Sequence, residues 1–309
     1  ILSGLVGSEM CIRDRFQWLE KLGLGKSAVP ASAGAAPPSP PEPEVPSPYE
    51  PGTADDYRAR LLREIEREHG LGSEPLETLR RCIRELPSAA DRDHAKYHEV
   101  RYLLTYALAP KGPGTLVDVA SSTIYGTALR ELKGWEVRPV PTLSIDYEKD
   151  PLPLPTASVD GVVLCEVIEH FVVDPLYCLI EINRILKPGG FLLLTTPNAA
   201  SWFSIYSALN QAHPSRWPVY SIDPAIARNH IHAREYVASE IRVLLDAAGF
   251  GQVELTTRDY GISPPYRPIP GFDPANRGET LFSLARKEGP PRKRAVPPIY
   301  LEDRPFGAT

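Results

Sequence analysis

The stretch DGVVLCEVIEHFVVDPLYCLIEINRILKPGGFLLLTTP, residues 160–197, decides the fold. Asp160–Glu166 is a short apolar run that reads as a strand, and Phe191–Pro197 reads as a second strand buried on both faces. Between them Asp174–Leu186 has the spacing of a helix, and Lys187-Pro188-Gly189-Gly190 supplies its stop. Strands joined through a helix run parallel, and strands apolar on both faces need helices on both sides.

The same rhythm continues outward. Thr115–Ala120 (TLVDVA) reads as a short strand, Thr123–Leu132 as a helix and Trp135–Val140 (WEVRPV) as a further strand. Downstream, Trp202–Leu209 is helical and aromatic, and Ala233–Ala248 is an amphipathic helix ended by Gly249. QVELTTRD (252–259) and ETLFSLARK (279–287) then alternate as strands do. The prediction is an α/β fold over residues 110–287: a Rossmann-like, doubly wound, mostly parallel sheet with helices on both faces. Residues 54–109 precede it as a helical segment. There Tyr57, Leu61, Leu62 and Ile65 form one stripe, and further helices are expected over Pro75–Glu85 and Asp91–Leu108.

The 309 residues carry a formal net charge of −5, with 42% hydrophobic and 24% charged residues. That suffices for one sizeable core and speaks against a nucleic-acid-coating protein, where a strong basic excess is expected. No apolar run is long enough for a membrane helix, so no membrane partner is expected. Four cysteines (Cys11, Cys82, Cys165, Cys178) without a C-x-x-C pair, and no leader pattern, lead us to expect reduced thiols in a cytoplasmic protein. Nine of the 34 prolines lie in residues 29–51. Residues 16–53 are therefore expected to be a disordered linker with a short helix at Phe16–Leu24, and residues 288–309 a disordered tail. Residues 1–15, ILSGLVGSEMCIRDR, resemble a translated sequencing adapter and stand outside the fold reading.

In an open parallel sheet, ligands sit beyond the carboxyl ends of the strands. Those ends are Asp118-Val119-Ala120-Ser121-Ser122, Cys165-Glu166 followed by Val167-Ile168-Glu169-His170, and Thr195-Thr196-Pro197-Asn198. If Glu166, Glu169 and His170 lie on the first turn of a helix, they share one face. The aromatic insert Trp202, Phe203, Tyr206, Trp217 and Tyr220 falls where a lid over an acceptor is expected.

The proline-leucine-proline run leading into Ser158-Val159-Asp160, the E-x-x-E-H segment 166–170 and the L-K-P-G-G turn 186–190 occur in order, with HAREYVASEIRVLLDAAGF (232–250) downstream. On these motifs the chain resembles the class I S-adenosylmethionine-dependent methyltransferases. The resemblance implies an enzyme moving a methyl group from S-adenosylmethionine to an oxygen or nitrogen of a small-molecule or glycan-type acceptor rather than a nucleic acid. It implies donor contacts from Asp118, Ala120, Ser121, Ser122, Asp146, Cys165 and Glu166, with His170 and Glu169 as catalytic residues. An imidazole titrates in the range a base needs near neutrality. Two departures stand out. Ala120-Ser121-Ser122 replace the family's glycines, and the strand 135–140 offers only Glu136 as the acid that grips a ribose. The first leaves open a non-catalytic binding or scaffold protein. The E-x-x-E-H segment with His232 also resembles the small-RNA 3′-terminal 2′-O-methyltransferases. That resemblance implies a divalent metal on Glu166, Glu169, His170 and His232, a donor set suited to Mg, Mn, Fe or Zn.

Overall fold

The computed structural model describes residues 47–119, 123–140, 145–217, 220 and 231–291. The expected helix at Phe16–Leu24, the loop residues Ala120, Ser121 and Ser122, and the chain after residue 291 lie outside the described residues.

Helix α1 (Ala54–Glu68) is capped by Thr53, whose hydroxyl accepts from the Asp56 amide at 3.1 Å. Its buried residues are Leu61, Leu62 and Ile65, which belong to the expected stripe. Helix α2 spans Glu74–Arg84. The single helix expected over Asp91–Leu108 is two, α3 (Ala89–Tyr97) and α4 (Glu99–Leu108). The break falls at His98, whose φ of −101° and ψ of 8° leave the helical region while its ring stays buried. Apolar spacing runs through the break unchanged, which is why periodicity alone shows one helix.

Six strands follow, interleaved with helices: β1 (Gly114–Asp118), α5 (Thr123–Lys133), β2 (Trp135–Pro139), β3 (Val159–Cys165), α6 (Pro175–Ile185), β4 (Leu186–Pro197), α7 (Trp202–Leu209), α8 (Ala238–Ala247), β5 (Phe250–Arg258) and β6 (Thr280–Lys287). Their order in the sheet is β2-β1-β3-β4-β6-β5. The pairs β1–β2, β1–β3 and β3–β4 are parallel, and β6 runs antiparallel to both β4 and β5. Five strands thus share one direction. The last strand inserts between its predecessors, a placement that sequence alternation does not encode. Gly161 permits the close approach of β3 and β4, since a Cβ there would sit 2.4 Å from the Phe191 ring.

Period two sends neighbouring strand residues to opposite cores. Val117, Val162, Leu164, Leu192 and Leu194 pack with α6 and α8, whereas Leu116, Val163, Cys165, Phe191 and Leu193 pack with α1–α5. The helical segment 54–108 therefore shares a core with the sheet and covers one face of it. The end of the proline-rich stretch is also tied down. Tyr49 forms an antiparallel bridge with Tyr266, and their hydroxyls lie 3.1 Å apart. Helix α8 begins five residues later than expected, at Ala238 rather than Ala233. Tyr236 is held in a parallel bridge to Asn198, and the Val237 amide donates to the Glu240 carboxylate at 3.1 Å.

Candidate active site

From β1 the chain moves to β2 on one side and then to β3 on the other, so the sheet order reverses beside β1. The crevice at such a reversal is where ligands settle. Asp118 ends β1 there, 2% exposed, and accepts from the Tyr125 hydroxyl at 3.1 Å. Tyr125 comes from the first turn of α5, so helix and strand fix the carboxylate together.

Past β3 the chain does not enter a helix. Glu166 takes a left-handed φ of 54°, and a 3₁₀ turn follows over Ile168–His170. Such backbone in a residue other than glycine costs about 1–3 kcal/mol and persists where its surroundings hold it. Here the Glu166 amide donates to the Thr195 carbonyl at 2.9 Å, and its carboxylate accepts from the Thr195 hydroxyl at 2.9 Å and the Tyr260 hydroxyl at 3.4 Å. This corrects the expected first helical turn: Glu166 turns toward Thr195 and Tyr260 instead of sharing a helix face with Glu169 and His170.

Glu169 is fully buried. Its Oε2 accepts from the Thr196 hydroxyl at 3.0 Å, while Oε1 has no hydrogen-bond partner among the described residues. Burial first, and the Glu166 charge second, push its carboxyl well above the usual range. His170 Nδ1 lies 2.8 Å from the Ile231 carbonyl. A carbonyl only accepts, so Nδ1 carries the proton and the neutral ring has its lone pair on Nε2. That Nε2 lies 4.0 Å from Glu169 Oε1. The Arg234 amide donates to the Glu169 carbonyl at 3.2 Å and the Tyr236 hydroxyl to the Ile168 carbonyl at 3.3 Å. These bonds dock the segment before α8 on the turn and bring the His232 ring to 4.9 Å from that of His170, edge to face.

Ligand atoms of Glu169, His170 and His232 lie within 4.8 Å of one another. Glu166, expected as a fourth metal ligand, is outside that group because its carboxylate is engaged by Thr195 and Tyr260. Asp146 is satisfied in its own turn, accepting from the Glu148 amide at 3.2 Å and pairing with Lys149 at 2.9 Å. Cys165 is buried in the core beneath the helical segment, and burial pushes its thiol up to about 12. Of the aromatic insert, Trp217 reaches the site, with its ring 5.4 Å from that of His232. Tyr206 instead stacks on Tyr266 at 5.6 Å, Phe203 lies under Arg216 at 3.9 Å, and Tyr220 is exposed.

Sequence reasoning missed His98 and Tyr260 as side chains that build this site, while Thr195 and Thr196 lie on a strand end it had named. Tyr260 comes two residues after the end of β5, and a strand end at this edge of the sheet was the available signal. His98 had none, because it belongs to a helical segment that reads as a separate cover.

Residues 104–194 match a family described as a methyltransferase domain, a match that supports assigning this part of the chain to the class I S-adenosylmethionine-dependent methyltransferases. A probable S-adenosylmethionine-dependent methyltransferase of Mycolicibacterium smegmatis is 39% identical over 99 residues, 32% of this chain and 31% of that protein. A probable S-adenosylmethionine-dependent methyltransferase of Mycobacterium tuberculosis is 38% identical over 104 residues, 34% of this chain and 31% of that protein. The matched stretch thus spans about a third of the length of these curated relatives. Among solved structures, human N-acetylserotonin methyltransferase in complex with S-adenosylmethionine aligns at 17% identity and a TM-score of 0.41, over 76% of this chain and 67% of that one. No helix among the described residues is long and apolar enough to cross a membrane.

Proposed function

We propose that the protein transfers a methyl group from S-adenosylmethionine to a hydroxyl or amine of a small-molecule or glycan acceptor, with His170 as the base. One observation carries this reading: His170 Nε2 and Glu169 Oε1 are buried and 4.0 Å apart. An acceptor oxygen can stand about 2.8 Å from both, hydrogen-bonded to each. The donor set also suits the cosubstrate. Carboxylates of Asp118 and Glu166 and the rings of Tyr260 and Trp217 line the carboxyl edge, an electron-rich surrounding for a cationic amino acid and a sulfonium.

When bound, S-adenosylmethionine supplies a methyl on positively charged sulfur, which departs as a neutral thioether. The chain's own task is alignment and proton removal. The Ile231 carbonyl fixes the His170 tautomer, so Nε2 receives the proton that the acceptor loses as its new bond to carbon forms. Glu169, held by Thr196, donates a hydrogen bond to the acceptor while protonated and orients it. Asp118 offers its carboxylate to the donor's ammonium group.

Calorimetric titration with S-adenosylhomocysteine tests the donor site, and the rate of His170→Ala tests the base. Micromolar binding with a rate about 10²–10⁴-fold lower supports the assignment. Absence of binding at millimolar concentration ends it. The grouping of Glu169, His170 and His232 also favours a second reading, a divalent metal bound by two imidazoles and one carboxylate. His170 would then hold the ion through Nε2, and the ion would lower the pKa of an acceptor hydroxyl. Loss of activity with chelator and its return with manganese or zinc selects this reading, and indifference to chelator removes it.

A further inference from the structure

Glu279 stands directly before β6, buried, with each of its four polar atoms engaged. Its amide donates to Asp259 Oδ1 at 3.1 Å, and its carbonyl accepts from the Asn198 amide at 2.8 Å. Its Oε2 accepts from the Tyr260 amide at 3.0 Å, and its Oε1 accepts from the Arg216 guanidinium. Because β6 is antiparallel to β4, with Thr280 opposite Pro197, this junction lies at the carboxyl edge of the parallel strands.

Three of the four bonds reach a residue that carries part of the site. Tyr260 sends its hydroxyl to Glu166 Oε2 at 3.4 Å. Asn198 is bridged to Tyr236, whose hydroxyl donates to the Ile168 carbonyl at 3.3 Å. Arg216 precedes Trp217, whose ring packs 6.3 Å from that of Tyr260 and 5.4 Å from that of His232. The indole nitrogen has no hydrogen-bond partner among the described residues, so the backbone beside it sets its place. Two side chains anchor that backbone: Ser215 donates to Glu235 at 2.7 Å, and Arg216 pairs with Glu279.

The ion pair is largely shut off from water, with side-chain exposures of 21% for Arg216 and 4% for Glu279. The Phe203 ring covers the guanidinium at 3.9 Å. Taking two charges out of water offsets most of their attraction, so such a pair adds little net stability over uncharged side chains of similar volume. What it fixes is geometry, because moving the cation away leaves a buried carboxylate uncompensated.

We propose that Glu279 and Arg216 are positioning residues for methyl transfer. Their ion pair holds Trp217 and Tyr260 against His232 and Glu166, where two rings and a carboxylate favour the positive sulfur of the donor. This rests on the methyl-transfer reading above. A merely structural pair would, when lost, weaken donor and demethylated product alike. A positioning pair acts on the surroundings of the sulfur, which is cationic in S-adenosylmethionine and neutral in S-adenosylhomocysteine.

The full chain is therefore titrated by calorimetry with both compounds, as wild type, as Arg216→Met, and as Arg216→Met combined with Glu279→Gln. The double variant has no charge at the pair, and its amide oxygen still accepts from the Tyr260 amide. We expect both variants to bind S-adenosylmethionine about tenfold more weakly and S-adenosylhomocysteine only about twofold more weakly. The thermal midpoint should fall in Arg216→Met, which strands a buried carboxylate, and hold in the double variant, which shows that it is folded. Hydrogen exchange over residues 213–217 should quicken in both. If the double variant keeps the wild-type ratio of the two affinities, whether both stay or both fall together, the proposal is overturned. If neither compound binds the wild type, the methyl-transfer reading fails, and exchange alone judges the anchoring of Trp217: quickened exchange sustains it and unchanged exchange ends it.

Discussion

Two buried acids on the same edge of the sheet invite comparison, Glu169 beyond β3 and Asp259 beyond β5. Both have carboxyls raised by burial and by a neighbouring acid, Glu166 in one case and Glu279 in the other. Their hydrogen bonding differs. Asp259 Oδ2 accepts from the Tyr57 hydroxyl at 2.6 Å and Oδ1 from the Glu279 amide at 3.1 Å. Glu279 is itself held by Arg216 and by the Tyr260 amide at 3.0 Å. Every oxygen of Asp259 is used, and the result is a clamp joining α1 to the sheet. Glu169 has Thr196 on one oxygen and none of the described residues on the other. A raised carboxyl pKa is therefore common to structure and chemistry here. Incomplete hydrogen bonding is what distinguishes Glu169 from Asp259.

The largest expected effect separates the two acids directly. Glu169→Leu, which removes the hydrogen bond to the acceptor, should lower kcat by about 10²-fold or more, while its thermal midpoint should hold or rise, as expected when a half-satisfied buried acid gives way to an apolar side chain of similar size. Asp259→Asn should leave kcat within about twofold, a range small against the effects of acid–base residues. Equal losses in both variants would erase the distinction.

A middle-sized effect concerns pH and stability. Burial holds Asp259 at about 7 in the folded chain, against about 4 when unfolded. The folded state keeps its proton longer, so this contribution to stability is full below about pH 4 and is lost as pH rises through about 7. Urea unfolding from pH 4 to pH 8 should show that decline in the wild type and a flatter profile in Asp259→Asn. An unchanged slope would mean that other groups carry it, with Glu279, Tyr57 and Arg216 the ones facing it.

The smallest effect is expected at the opposite edge. Glu136 is exposed and pairs with Arg138 at 2.8 Å along its own strand. Arg138 holds its carboxyl below the usual range, and Glu136 stands near the start of β2, away from the carboxyl ends where ligands bind. Glu136→Gln should leave the affinity for S-adenosylhomocysteine unchanged by calorimetry. A loss of tenfold or more would assign to it the ribose-gripping role that the sequence offers no other acid on that strand to fill.

Much of the sheet is legible in the local pattern of the chain. Continuous apolar runs place Val162 to Cys165 and Phe191 to Leu194 in strands, and caps such as Ser201, which accepts from the Ser204 amide at 3.1 Å, mark helix starts. The neighbourhood of His170 and His232 can be suspected from motif order. Three things are not legible there. The E-x-x-E-H segment has spacing suited to a helix, yet hydrogen bonds from Thr195 and Tyr260, far off in sequence, hold Glu166 in a left-handed turn. The insertion of β6 between β4 and β5 leaves no trace in local pattern. The break at His98 lies inside an unbroken apolar periodicity.

Sequence alone determined which segments bury their faces, because burial pattern is a local property written every second or every third and fourth residue. It therefore pointed to a mostly parallel α/β sheet and to the edge at which the candidate site lies. The tertiary structure decided which polar atoms at that edge find partners. A hydrogen bond needs an atom at about 3 Å in the right direction, and Thr196, Ile231, His98 and Trp217 come within reach of the site only through the folding of distant parts of the chain.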